Sequence, residues 1–158
     1  MRFFKTHLLA LALAVVAVFA GAPSDVSAQA FTGGLANIRG STVVTLTGYA
    51  AGPTGTLQWR IEGASGRVTI WAPAAITGTS NATGLTITGL PYTLFPQTAL
   101  TVPCFVTDNA IQVSASCNFA SGSGTITVGM GAGFSATGFT ATGTKGLQAG
   151  FTLSFPLY

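Results

Sequence analysis

After position 30 the hydrophobic residues alternate with polar ones and do not recur at helical spacing. The segment Leu57–Glu62 alternates residue by residue, and so do Leu85–Thr88, Thr125–Val128 and Phe151–Leu157. Successive side chains of a β-strand point to opposite faces of the sheet, so a period of two indicates a strand with one buried face. We therefore predict four half-buried strands at these positions.

Other segments are rich in β-branched and aromatic residues, which favour strands. On this basis we predict further strands at Thr42–Tyr49, Arg67–Trp71, Thr101–Thr107 and Ile111–Cys117. Turn-forming residues separate the predicted strands, at Gly52-Pro53, Gly63–Gly66, Pro91, Asp108-Asn109 and Ser121–Gly124. About eight short strands in one domain indicate an all-β fold, namely an antiparallel β-sandwich that is jelly-roll-like.

The N-terminus has a different character. A short basic region precedes an unbroken apolar run over Leu8–Ala20, and small residues then offer cleavage after Ala28 or after Ala30. This is the layout of a secretory signal peptide, and the run is shorter than the roughly 20 residues that a spanning helix needs. We predict a signal peptide at 1–30 and a single exported domain at 31–158. Its expected location is the periplasm, the medium or the cell surface, with no stable membrane span after cleavage.

Charged residues make up 6% of the chain, against about 25% in ordinary soluble domains. Four scattered cations cannot form the stripe that follows a phosphate backbone, so we predict no nucleic-acid partner. The expected surface is neutral and rich in hydroxyl groups. The domain retains a net charge of +2, from Arg39, Arg60, Arg67 and Lys145 against Glu62 and Asp108.

The domain lacks the side chains that catalysis most often uses. The one histidine, His7, lies in the predicted signal peptide, and histidine is the commonest general base and transition-metal ligand. Glu62 is interpreted as a solvated partner of Arg60 or Arg67, and Asp108 as a residue of a tight turn. We predict no enzyme activity, no catalytic residues, no cofactor and no metal.

The two cysteines, Cys104 and Cys117, leave two states open. If Asp108-Asn109 is the centre of a hairpin, Cys104 lies opposite Val113 and Cys117 opposite Leu100. The cysteines are then offset by four residues, about 13 Å along the strand. A disulfide needs Cα atoms within about 7 Å. This register favours two buried thiols, and a disulfide requires a longer loop or a bulge.

Two aromatic residues are candidates for stacking against a ligand. Trp71 and Tyr92 adjoin prolines at predicted strand ends, where their rings can be exposed. Trp59 is flanked by Leu57 and Ile61, and we interpret it as a core residue.

Several segments occur in a distinctive order along most of the predicted domain. They are Thr69–Pro73, Ile76–Thr83, Leu85–Pro91, Val102–Cys104, Asp108-Asn109, Gly124–Thr127 and Phe139–Leu147. This ordered set resembles a small β-rich domain of tailed-phage and prophage proteins, found near virion or tail-fibre genes, over Thr45–Leu157. The resemblance implies a compact β-sandwich with a structural or receptor-facing role, which can be trimeric, and it assigns no catalytic residue.

Together these patterns predict an exported, non-enzymatic interaction module of phage-like origin, whose partner is a protein or a glycan surface. One alternative is a virion component such as a tail-fibre tip or decoration domain, located in the virion and supported by the resemblance. A further alternative is a small outer-membrane β-barrel ending at Tyr158. The last apolar row ends at Leu157 instead, which opposes that alternative. A homotrimer would need an uncovered apolar patch, for which Phe134, Phe139 and Phe151 are the candidates.

Overall fold

The computed structural model of the protein describes residues 37–63, 65–131 and 138–157. The predicted signal peptide with its two cleavage sites, Phe134 and Tyr158 lie outside the described residues.

The described part of the chain forms β-strands and one short 3-10 helix, Tyr92–Leu94. All the strands pair antiparallel, which confirms the prediction of an all-β antiparallel fold. The strands are β1 (Ile38–Thr47), β2 (Thr54–Glu62), β3 (Arg67–Trp71), β4 (Ile76–Thr79), β5 (Leu85–Thr88), β6 (Leu100–Asp108), β7 (Ile111–Phe119), β8 (Thr125–Met130), β9 (Thr144–Leu147) and β10 (Thr152–Pro156).

Within the described ranges the sheet has ten strands, where about eight were predicted. The two additional strands are β4 and β9, which have four residues each and pair with one another. Each contains a glycine, so neither shows the alternation that identifies a strand in the sequence. Gly146 of β9 has a φ of 147°, and a side chain there would collide with the carbonyl oxygen of Ile76 on β4.

The strand order is β10-β3-β2-β1-β5-β8-β7-β6-β9-β4, and the sheet curls back on itself. Just beyond the ends of β1 and β4, Tyr49 and Ser80 form an isolated β-bridge. Near the other edge, the Phe155 ring of β10 packs on the Phe119 ring of β7, with their centroids 4.2 Å apart. One concave face of the sheet therefore encloses the core, and the convex face points outward.

The concave face, called the inner face below, carries the apolar residues of the alternating segments, and the convex face is the outer face. Leu57 is fully buried and Trp59 packs against the core while half-buried, with its indole ring over Gly40. Trp59, interpreted from the sequence as a core residue, thus faces the core but is only partly buried. Phe139 and Phe151 are buried inside the domain, so these two candidates offer no patch to a trimer.

Of the two states left open for Cys104 and Cys117, the structure has the disulfide, which the predicted register disfavoured. Their Cα atoms are 5.9 Å apart. The β6–β7 loop consists of Asn109 and Ala110, which both have positive φ, whereas the sequence placed the centre one residue earlier. Cys104 therefore lies opposite Ala115, and the offset between the cysteines is two residues instead of four. A two-residue offset brings them within disulfide range.

We expect the Cys104→Ala/Cys117→Ala double variant to lose about 3 kcal/mol of unfolding free energy, because the bond closes a loop with a sequence separation of 13. Urea unfolding of the oxidised native chain and of the variant measures the loss. Alkylation followed by mass spectrometry is the independent check. Rapid labelling of both cysteines in unreduced protein would contradict the assignment.

Candidate functional site

The fold divides the charged residues of the domain into two groups. Lys145 and Asp108 are buried. The others lie on the outer face of β1, β2 and β3, as Arg39, Arg60, Glu62 and Arg67. Each group is a candidate functional site. The two differ in solvent access, because the first group is buried and the second lies on the outer face.

The Lys145 side chain is completely buried, and its ammonium group is held by polar and aromatic contacts. Its Nζ donates hydrogen bonds to the carbonyl oxygens of Ala82 and Gly84, both at 2.7 Å. The same atom lies 5.2 Å from the ring centroid of Tyr49 and 5.7 Å from that of Phe139. Carbonyl oxygens and aromatic faces both stabilise a cation, so these contacts offset part of the cost of removing it from water.

Asp108 is also buried, and its carboxylate accepts hydrogen bonds from Thr140, from the backbone N–H at 3.1 Å and from Oγ1 at 2.9 Å. The sequence indicated that Asp108 belongs to a tight turn. It is the last residue of β6, and the turn begins after it. Its charge supports the Lys145 cation, but burial is the larger effect and lowers the pKa of Lys145. Burial, with a smaller contribution from Asp108, raises the pKa of Tyr49.

Sequence reasoning missed this buried cluster because a lone lysine among glycines and threonines is usually exposed. One signal was present: Lys145 lies two residues before the buried Leu147, so both can face the same side of β9. The cluster joins the start of β9 to the Ala82–Gly84 connection and to the 138–143 segment. Since the ammonium group is sealed from solvent, its role is structural.

The outer face of the sheet has the access that a binding site needs. On β2, β3 and β10 the inner positions are apolar, so the alternate positions point outward. Strand pairing aligns one outward side chain from each of β1, β2, β3 and β10 directly across the sheet. This row, the aromatic row, consists of Ser41, Gln58, Trp71 and Thr152. It places a half-buried indole between an amide and a hydroxyl group.

A second row on the same face, the arginine row, contains Arg39, Arg60, Thr69 and Ser154. Arg39 lies directly opposite Arg60, whose Nη2 is 2.8 Å from Oε1 of Glu62. The predicted pairing of Glu62 with an arginine is therefore confirmed.

Arg67 lies opposite Glu62 on the neighbouring strand, at the end of the same outer face. Its Nε donates to the hydroxyl oxygen of Ser154 at 2.7 Å. The hydrogen bond fixes this guanidinium beside the arginine row.

At the β10 end the aromatic row continues into an open groove of about 180 Å³. The side chain of Phe105, 58% exposed, lies on one wall. Gln112, Gln148 and Thr152 supply polar groups, so Thr152 belongs to both the row and the groove. We call the aromatic row, the arginine row, Arg67 and this groove the outer site.

The two predicted stacking residues are not brought together. Trp71 lies opposite Thr152, the first residue of β10. Tyr92 is 74% exposed on the 3-10 helix. Five residues after Tyr92, the N–H of Gln97 donates to the carbonyl oxygen of Leu157, which follows the last residue of β10. The chain near Tyr92 therefore meets the end of β10 that is opposite to Thr152. Trp71 therefore belongs to the outer site, and Tyr92 does not line the groove.

The buried cluster generates a prediction on pH. The ordinary pKa of lysine is 10.5, and the folded protein holds that of Lys145 lower. At a pH between the folded-state and unfolded-state pKa values of Lys145, the unfolded chain binds more protons than the folded protein. The contribution of Lys145 to the unfolding free energy therefore rises as pH increases towards 10.5. Lys145→Met should cost about 3 kcal/mol near neutral pH, because two carbonyl oxygens lose a charged donor.

Urea unfolding of the native chain and of Lys145→Met over a pH series tests this effect, since the Tyr49 titration is common to both proteins. The difference between them should widen with rising pH, and a constant difference would refute the assignment. Tyr49→Phe is the matched control. It keeps the ring near Nζ and removes a hydroxyl that has no hydrogen-bond partner among the described atoms. It should leave the unfolding free energy unchanged or raise it.

Neither family models nor curated proteins provide a match for this chain. Within the described ranges, no helix has the length and apolar character needed to cross a membrane. The same residues contain no group of three or more His, Cys, Asp or Glu side chains arranged to hold a metal ion. The geometry of the outer site is therefore the observation from which a function can be proposed.

Proposed function

We propose that the protein is an exported, non-enzymatic interaction module of phage-like origin, which binds its partner through the outer site. The observation that carries the proposal is the continuity of the aromatic row with the groove through Thr152. An indole, an exposed phenyl ring and several amide and hydroxyl groups share one accessible surface. Such a mixture of apolar area and hydrogen-bonding groups suits recognition.

The positions of the carboxylates support binding over catalysis. Glu62 points outward and pairs with Arg60, whereas Asp108 is buried and bonded to Thr140. Hydrolysis by paired carboxylates requires both to face one substrate. These two groups lie on opposite faces of the sheet, so they do not flank a common cleft.

Export and origin are supported by the sequence. The layout of residues 1–30 is that of a signal peptide, and the ordered segments between Thr45 and Leu157 resemble phage and prophage domains. A disulfide is typical of proteins that fold in an oxidising compartment, and the Cys104–Cys117 bond agrees with export.

Expression from Met1 in a Gram-negative host tests the export part of the proposal. We expect soluble protein in the periplasm or medium, with an N-terminus after Ala28 or Ala30 when read by mass spectrometry. Uncleaved protein in the cytoplasm would overturn export and favour the alternative of a virion component.

A pair of aromatic variants tests the binding part. The processed protein is passed over immobilised bacterial cell-surface polysaccharides and cell-surface proteins. Trp71→Ala should weaken retention at least about tenfold, equivalent to about 1.4 kcal/mol, because it removes the central ring of the outer site. Tyr92→Ala removes a more exposed ring outside the groove and should have no effect. Equal retention of both variants, or no retention of the native protein, would contradict the proposal.

A further inference from the structure

We propose that the ligand of the outer site is an acidic polysaccharide, one whose sugar rings carry carboxylate, sulfate or phosphate groups. This inference rests on the proposed function and specifies the chemistry of the partner. Three features of the outer site carry it: the distribution of charge, a pair of opposed arginines, and the aromatic and amide groups beside them.

The fold concentrates charge that is scattered in the sequence. Lys145 and Asp108 are buried, so the charges remaining in the described part of the domain all lie on one face of β1, β2 and β3. These are three arginines and Glu62, a local net charge of +2. The surroundings are neutral, so an anionic ligand would be attracted to this face in particular.

The opposition of Arg39 and Arg60 indicates where an anion would bind. Like charges directly opposite one another on adjacent strands destabilise a sheet. Glu62 forms an ion pair with Arg60, whereas Arg39 makes no ion pair among the described residues. A carboxylate, sulfate or phosphate group between the two guanidinium groups would relieve the repulsion and accept bidentate hydrogen bonds.

The adjacent aromatic row indicates that the anion is attached to rings. Gln58 is directly opposite Trp71, and Arg60 is two residues from Gln58 on the same face of β2. A sugar ring can pack its C–H face on the indole while its hydroxyl groups bond to Gln58 and Thr152. Beyond Thr152, the groove offers Gln112 and Gln148 to the next part of a chain.

The same charges fit nucleic acid less well. Duplex DNA carries a phosphate about every 1.7 Å of its axis and is held by many cations along that path. Here three arginines lie together at one end of the site and one is neutralised by Glu62, while the groove end is lined by neutral residues. Sparse acidic groups on a hydroxyl-rich chain match this distribution better.

Derivatives of one polysaccharide provide the test. Dextran, carboxymethyl dextran, dextran sulfate and dextran phosphate are immobilised, and binding of the processed full chain is measured by biolayer interferometry. At least one acidic derivative should bind ten or more times tighter than dextran itself, on the order of 1.4 kcal/mol. Added salt should weaken this binding, because the attraction is partly electrostatic.

Variants locate the interaction on the outer site. Arg39→Gln should lower affinity for the acidic derivative severalfold and leave the thermal midpoint unchanged or raise it, because Arg39 makes no ion pair in the described structure and lies opposite Arg60. Phe105→Ala should also weaken binding. Its control, Ile111→Ala, removes a somewhat more exposed apolar side chain (65% against 58%) from the same hairpin but outside the groove.

Several outcomes would overturn the inference, and they differ from a failure of the proposed function. Equal binding to neutral dextran, reduced by Trp71→Ala, would refute an acidic ligand but leave the interaction module intact. Binding of polyglutamate or duplex DNA as tight as that of the acidic dextrans would show a general preference for polyanions and refute the sugar requirement. Absence of binding to every acidic derivative would refute the inference.

Discussion

The burial of the Lys145 ammonium group is the constraint on which much of the structure depends. Burying a cation costs free energy unless polar groups surround it. Here the carbonyl oxygens of Ala82 and Gly84 and two aromatic rings surround the ammonium group. These partners come from the end of β1, the β4–β5 connection and the segment that leads into β9. Displacement of any one of them would remove one of the contacts that stabilise the cation. The cluster therefore holds the short strands β4 and β9, which have four residues each, in their place at the end of the sheet.

The same arrangement determines what the surface can offer. With Lys145 and Asp108 enclosed, the charges left in the described domain belong to β1, β2 and β3. The alternation of side chains on these strands places the apolar positions against the core and the arginines outside. A chain with few charges thus acquires one polarised face, and the remaining described surface is dominated by threonine, serine and glycine. Concentration of the charge comes from pairing of the strands, because Arg39, Arg60 and Arg67 are well separated along the chain.

The sequence predicted much of the fold and less of the candidate site. Strands such as β2 and β10 were predictable because their alternation is unbroken, whereas a glycine interrupts the alternation in β4 and β9. The predicted register disfavoured the disulfide because a shift of one residue in the loop changes every pair in a hairpin. The burial of Lys145 depends on carbonyl groups more than 60 residues away in the chain, so local pattern could not reveal it. Trp71 was identified as a candidate, but its alignment with Gln58 and Thr152 required the strand register.

The position of the disulfide has a consequence for when the outer site becomes usable. Cys104 precedes Phe105 on β6, and the bond to Cys117 crosses the hairpin whose outer face supplies Phe105 and Gln112 to the groove. In a reducing cytoplasm this wall would be held by strand pairing alone. Oxidation after export would add a covalent restraint directly behind it and limit how far the two strands can shift. Under the proposed export and binding, maturation of the outer site would be coupled to the compartment, and a chain retained in the cytoplasm would hold the proposed ligand less firmly than the same chain after secretion.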